Sequence, residues 1–176
     1  IFEFLRHSML LQLGANGNVL AYNYSKDPNW LEPPFPANAA GDAVLHGDYP
    51  YLNLFEGNIL QQIVVDNSHG INGPYNTFFR NRAQLYGIFM NSGTGATDSV
   101  NYVGNEVTNT GLQMGNFSLA GSGHLTQGNN IKGTITPSGT TVQEQSLYLA
   151  TTPGFWPGNI PWPHIGTPYP YNQSTN

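Results

Sequence analysis

Two histidines of this chain occupy equivalent positions in two segments of equal length. Residues 46–53 and 69–76 both begin with His-Gly and end with Asn. If the segments stack, His46 and His69 lie side by side, where they could bind a sugar or share a metal ion beside Asp48. The alternative is a polar turn in which each imidazole bonds to backbone. Because no third convergent ligand is evident, the pattern favours the turn and predicts no cofactor.

Acidic and basic residues that could act on a polysaccharide are few and scattered. A lyase needs Ca²⁺ held by carboxylates and a base that removes a proton, whereas a hydrolase needs two carboxylates about 5 to 9 Å apart. Glu56 and Asp66 are the best carboxylate candidates, and Arg80 is a candidate base or clamp for an acidic sugar. Since no two carboxylates share a repeat position, we favour structural roles for all three.

Aromatic residues are better placed for glycan binding, because flat apolar sugar faces stack on aromatic rings. Four candidates cluster around a proline-rich segment: Trp30, Tyr49, Tyr51 and Tyr75. Trp156 and Trp162 lie in a second proline-rich segment at the end of the chain. We expect those two to cover the side of the fold, since proline restricts the unfolded chain there.

A repeat indicates how these residues are positioned. Six-residue units recur that end in Asn, and two strand-like segments meet at that residue. Successive gaps are 35, 23, 24 and 24 residues along the column Asn23, Asn58, Asn81, Asn105 and Asn129. An apolar residue usually stands three positions earlier. Stacked amides can bond one above another, and Asn tolerates the left-handed conformation of a tight bend.

The period predicts an all-β, right-handed parallel β-helix with about 23–24 residues per coil. The units lack the leucine spacing and the helical segment of a leucine-rich repeat, a propeller blade would be about twice as long, and the Gly, Asn and β-branched content excludes helical repeats. Coils should span residues 1–150, with a proline-rich loop at 26–38 and an extended strap at 151–176. Arg82 and Glu106 occupy one column, so we expect an exposed ion pair between coils. The first coil should present an open edge that pairs with upstream coils or another subunit, as in a homo-oligomer or fibre.

Composition excludes several classes of function. Only 9% of residues are charged, the net charge is −5, and the five Lys and Arg residues form no basic patch for nucleic acid. No apolar run is long enough to span a membrane. Low charge with many Asn, Thr and Tyr residues is typical of secreted and surface proteins, so we expect an extracellular location.

The chain resembles right-handed parallel β-helix proteins of the pectate-lyase-like superfamily, particularly large secreted bacterial ones. The similarity is carried by residues 14–25, 53–58, 69–82, 146–149 and 156–163. It implies the C-terminal coils of a longer secreted protein. That superfamily contains both enzymes and passive surface proteins, so the resemblance leaves the activity open. We favour a structural or adhesive surface protein that binds glycans, with Ca²⁺-dependent polysaccharide β-elimination as the alternative.

Overall fold

The computed structural model describes residues 1–29, 41–91 and 95–166, and these ranges contain strands and no helix. Most strands are short because a turn follows after two or three residues. The strands are β1 (Phe2–Glu3), β2 (Met9–Leu11), β3 (Val19–Ala21), β4 (Ser25–Lys26), β5 (Ala43–Leu45), β6 (Leu54–Glu56), β7 (Ile59–Val65), β8 (Thr77–Phe79), β9 (Arg82–Met90), β10 (Asn101–Val103), β11 (Glu106–Val107), β12 (Asn116–Ser118), β13 (Leu125–Gln127), β14 (Asn129–Ile131) and β15 (Thr134–Thr136).

Strands from successive coils stack in parallel, so the predicted fold class is confirmed as a β-solenoid of about five turns. Sheet I has the order β13-β10-β8-β6-β3. Sheet II has the order β15-β14-β11-β9-β7-β5-β2, with β12 also on β9, and β1 pairs with β4. In sheet I, Leu54 pairs with Thr77, and Thr77 pairs with Asn101. Each step in the pairing therefore corresponds to one repeat of the sequence.

The core consists of equivalent side chains stacked along the solenoid axis. Alternate residues of a strand point to opposite faces, so one position per strand turns inward in every coil. The rings of Phe55 and Phe78 stack with centroids 4.9 Å apart, and those of Phe78 and Tyr102 with centroids 5.4 Å apart. Leu60 and Ile63 of β7, which follow Phe55 in the same coil, are also fully buried. The apolar column in the sequence thus becomes one continuous core.

The predicted asparagine ladder is present along all five positions of the column. The Asn58 Oδ1 atom accepts hydrogen bonds from the backbone N of Asn23 at 2.9 Å and from its Nδ2 at 3.0 Å. The same pair of bonds connects each later asparagine to the next one. From Asn58 onward the ladder is buried. It therefore satisfies polar groups at a corner from which water is excluded.

The left-handed conformation at this corner belongs to the preceding residue, so the expectation that the asparagines adopt it is wrong. The φ angles are 57° at Tyr22, 65° at Gly57, 50° at Arg80, 67° at Gly104 and 59° at Gly128. The turn is made one residue earlier, which leaves each asparagine free to aim its amide along the axis. Glycine is the residue that adopts this φ without strain, and it occupies three of the five positions.

A second, shorter ladder lies where sheet II leads into sheet I. Asn53 Oδ1 accepts from the Nδ2 of Asn18 at 2.9 Å, and Asn76 Oδ1 accepts from the Nδ2 of Asn53 at 2.9 Å. In later coils the position is taken by Val100, whose backbone N donates to His124 Nδ1 at 3.1 Å. This ladder was not predicted, although its three asparagines begin three of the aligned repeat units.

The two ends of the solenoid differ. Within the described residues, β1, β2 and β3 are each paired on one side only, and Ile1 and Phe4 beside them are exposed. At the other end, β15 pairs antiparallel with β14. The predicted loop at 26–38 lies outside the described residues from position 30 onward, and Trp30 lies there too.

Residues after β15 return along the outside of the asparagine corner. Val142 packs against Phe79 and Val103. Further along the chain, the Trp162 Nε1 atom donates to the Tyr22 hydroxyl at 3.1 Å. The segment is described to residue 166, and the extended strap at 151–176 stays a prediction.

Candidate functional site

The segments 46–53 and 69–76 stack as their equal lengths predict, and we call them together the loop flank. Backbone hydrogen bonds join Asp48 N to His69 O at 3.1 Å and Leu52 N to Pro74 O at 3.2 Å. Gly47 explains the shared His-Gly start. Its φ is 80°, and a Cβ atom there would lie 2.7 Å from the carbonyl oxygen of Gly70. Only glycine therefore permits this close approach.

His46 and His69 lie side by side on the loop flank, with ring centroids 4.6 Å apart. The third group beside them is Asp66. Leu45 pairs with Val65, so the residues that follow these two strands are also neighbours. The His46 Nδ1 atom lies 2.6 Å from Asp66 Oδ2. One possible ligand atom from each of the three residues lies within 4.8 Å of the others, and we call this group the His–Asp–His cluster.

Asp48, the carboxylate expected beside His46 from sequence, is exposed and lies next to Gly70. The sequence contained a signal for Asp66 that the comparison of the two histidine segments overlooked. His46 directly follows the apolar run that ends at Leu45, and Asp66 directly follows the equivalent run that ends at Val65. Matching those strands, rather than the histidines, would have found the cluster.

Neighbouring side chains hold the Asp66 carboxylate in a fixed orientation. The backbone N of Ser68 donates to Oδ1 at 2.9 Å, and the Ser68 hydroxyl donates to Oδ2 at 2.9 Å. Asn91 Nδ2 also donates to Oδ1, at 2.5 Å. The Ser68 hydroxyl further lies 3.0 Å from His69 Nδ1. This ring contact leaves His69 Nε2 directed away from the serine.

His7 borders the cluster, with its ring centroid 5.7 Å from that of His46. Its Nδ1 donates to the Gly41 carbonyl at 2.8 Å. Burial lowers the pKa of His7, and the hydrogen bond to Gly41 opposes that change.

Three tyrosines occupy the outer part of the loop flank. Tyr49 and Tyr75 are 53% and 58% exposed, and both have positive φ, which turns their side chains away from the core. The Tyr51 ring lies 6.1 Å from that of Tyr49. A Cβ atom on Gly73 would lie 3.0 Å from the Tyr49 ring, so the ring rests on bare backbone.

Glu56 and Arg80 lie beside the asparagine ladder, at a different position of the coil from Asp66. Both are buried under the segment that follows β15. Arg80 donates to the carbonyl oxygens of Ile165 at 2.8 Å and Glu144 at 2.9 Å. Glu56 accepts hydrogen bonds from the Ser146 hydroxyl and from the backbone N of Leu147. Both side chains therefore bind the protein itself.

The predicted pair of Arg82 and Glu106 is present, but the expectation that it is exposed is wrong. The Nε and Oε2 atoms lie 2.7 Å apart and the two side chains are 3% and 2% exposed. The returning segment covers the pair, and Gly166 N donates to Glu106 Oε1 at 3.0 Å. In the same segment, burial and, to a smaller extent, the charge of Arg82 lower the pKa of His164 to about 4.

In comparisons with protein-family models, curated proteins and solved structures, this chain matches none. The fold and the site therefore rest on the chain's own geometry. Among residues 1–29, 41–91 and 95–166 there is no helix that is long and apolar enough to cross a membrane.

Proposed function

We propose that this protein is a structural or adhesive β-solenoid of the cell surface or extracellular matrix, and that it binds glycans on the loop flank. The observation that carries the proposal is the outward placement of Tyr49 and Tyr75 beside Tyr51. Each exposed ring offers an apolar face and a hydroxyl, which suits a sugar ring with one apolar face and a polar edge.

The backbone supports such a role because hydrogen bonds between coils fix the main chain that carries the tyrosines before a ligand arrives. Tyr49 N donates to Ile71 O at 3.0 Å, and Tyr75 N donates to Ser99 O at 2.7 Å. A surface that is already ordered loses little conformational entropy on binding. Neighbouring coils are about 4.8 Å apart, so the flank presents side chains at regular steps along the axis.

The enzyme alternative is less well supported by the same geometry. A β-eliminating base must reach a substrate proton, whereas Arg80 is 2% exposed and bonds to backbone carbonyls. Glu56 is 1% exposed and holds the segment at 146–147. Asp66, the remaining candidate, lies beside the loop flank and accepts hydrogen bonds from Ser68 and Asn91.

The open edge at β1, β2 and β3 supports the structural part of the proposal. Unpaired strand edges template further strands unless they are covered. We propose that this edge pairs with additional parallel coils or with another subunit, which would extend the solenoid into a longer surface structure.

Retention on immobilised polysaccharides tests glycan binding. Affinity electrophoresis in gels that contain pectin, alginate or xylan measures a dissociation constant for the wild type and for Tyr49→Ala and Tyr75→Ala. We expect each variant to bind at least about tenfold more weakly to the retaining glycan, which corresponds to about 1.4 kcal/mol of stacking and contact energy.

Tyr148→Ala is the matched control, because Tyr148 is 57% exposed and lies outside the loop flank. It should bind as the wild type does. Equal binding by Tyr49→Ala, Tyr75→Ala and the control would contradict the proposal. Depolymerisation of a uronate polymer that requires Ca²⁺ would establish the lyase alternative instead.

A further inference from the structure

We propose that the His–Asp–His cluster binds a divalent cation of the zinc type, and that His46, Asp66 and His69 are its ligands. This inference does not depend on glycan binding, since none of its ligands is one of the three tyrosines proposed to bind the glycan.

The first argument is the kind of donors that the fold brings together. Two imidazoles with one carboxylate form a donor set that suits Zn²⁺, Co²⁺, Ni²⁺ or Cu²⁺, because imidazole nitrogen binds these ions, whereas Ca²⁺ and Mg²⁺ prefer oxygen ligands alone. The three ligand atoms lie within 4.8 Å of one another. With metal–ligand distances of about 2.0–2.2 Å, the ligand atoms of one tetrahedral shell lie about 3.4 Å apart, so adjustments of the side chains would bring these three atoms into one shell.

The second argument is the state of His46. Its Nδ1 atom is buried and makes no hydrogen bond within the described part of the chain, although Asp66 Oδ2 is 2.6 Å away. A buried ring nitrogen without a hydrogen bond is costly. A cation bound by Nδ1 would satisfy this ring nitrogen, with the imidazole and the carboxylate moving apart from their present 2.6 Å separation to admit it.

The third argument is the support around the ligands. Metal-binding carboxylates are normally oriented by further hydrogen bonds, and Asp66 has such bonds from Ser68 and Asn91. The backbone is fixed as well, because Asp66 N donates to Leu45 O at 2.8 Å and His46 N donates to Leu11 O at 2.9 Å. His46 and Asp66 directly follow stacked strands, which position ligands more accurately than free loops do.

Three protein ligands leave one tetrahedral position unfilled. His69 is exposed whereas Asp66 is buried, so the cluster opens to solvent on the His69 side. A water molecule or a ligand's oxygen would complete the coordination from there. The metal would also clamp the turn at 66–69 onto the preceding coil.

Isothermal titration of the tag-free, chelator-treated chain with Zn²⁺ tests the site. We expect one ion per chain, and Co²⁺ should give the visible absorption of a tetrahedral complex. His69→Gln should weaken Zn²⁺ binding at least about a hundredfold, and Ser68→Ala should weaken it about tenfold through the orientation of Asp66. Because His69 is exposed, its replacement should not impair folding.

His124→Gln is the matched control. His124 is part-buried and its two ring nitrogens are engaged by Val100 N and Ala120 O. The dissociation constant of His124→Gln for Zn²⁺ should lie within about twofold of that of the wild type. Zn²⁺ should raise the melting temperatures of the wild type and of His124→Gln, but not that of His69→Gln. The proposal is overturned if the wild type binds no Zn²⁺, if His69→Gln and Asp66→Asn bind it unchanged, or if Ca²⁺ displaces it at equal concentration. Glycan binding by the metal-free chain is a separate readout and would survive each of these results.

Discussion

Replacing one asparagine in the middle of the buried ladder should destabilise the protein far more than replacing the asparagine at its first position. Asn81 Oδ1 accepts from Asn58 N at 3.1 Å and Asn58 Nδ2 at 2.9 Å. Asn81 Nδ2 donates to Phe55 O at 2.9 Å and to Asn105 Oδ1 at 3.1 Å. Asn81→Ala removes all four bonds. It also leaves the Asn58 backbone N–H without that acceptor in a corner that is fully buried.

The magnitude follows from these contacts. Four bonds at about 1 kcal/mol each, with a further cost of about 1 kcal/mol for a stranded buried group, give a loss of about 5 kcal/mol in the free energy of unfolding. Asn23 makes two side-chain bonds, to Ala21 O at 3.2 Å and Asn58 Oδ1 at 3.0 Å, and it is only partly buried. Asn23→Ala should therefore cost about 1–2 kcal/mol.

Urea unfolding at neutral pH, followed by circular dichroism, measures both free energies, and an unchanged slope with denaturant confirms that the same surface unfolds. Asn81→Asp adds an isosteric test, because it keeps the acceptor but places a second oxygen opposite Phe55 O and Asn105 Oδ1. It should also be strongly destabilising at neutral pH. If Asn81→Ala costs no more than Asn23→Ala, the ladder does not stabilise the corner and the reasoning fails.

Two further predictions concern the segment that returns over the asparagine corner. Arg80→Met removes the hydrogen bonds to the carbonyls of Ile165 and Glu144. We therefore expect faster hydrogen exchange and faster proteolysis of residues 142–166, while the coils stay folded. Unchanged protection of these residues would show that Arg80 does not hold the segment. Burial lowers the pKa of His164 to about 4, below its value of about 6.5 in the unfolded chain, so the unfolded state binds the proton more readily. Stability from the neutral imidazole is complete above pH 6.5 and should fall by up to about 2 kcal/mol towards pH 4.5. His164→Gln should lack that part of the acid sensitivity when unfolding is measured at both pH values, and an identical pH dependence would contradict the assignment.

The sequence determined the coil because the solenoid repeats a local rule. Each unit of 23 or 24 residues places the same residue type at the same corner, and the neighbouring unit is its stacking partner. Asn58, Asn81 and Asn105 were therefore predictable as a ladder without any knowledge of distant contacts. The residue that makes the bend was harder to identify, because the position before each ladder asparagine does not keep one residue type. It is glycine in some coils, as at Gly57 and Gly104, but Tyr22 and Arg80 adopt the same positive φ in others.

The roles of the charged residues were decided by tertiary structure. Arg80, Glu56 and Glu106 face outward from their coils, and a repeat pattern treats outward residues as exposed. Residues about 60 to 90 positions later in the chain return and bury them. No local periodicity encodes that contact, because the returning segment belongs to no coil.

The loop flank shows both kinds of information in one place. Equal segment lengths and the two His-Gly pairs were enough to place His69 beside His46, because stacking preserves position within the repeat. Asp66 joins them through the pairing of the strands that end at Leu45 and Val65, which depends on the register between coils. Register is set by how side chains pack across the whole sheet, so only the tertiary structure placed Asp66 as the third ligand. The sequence alone determined the histidine pair.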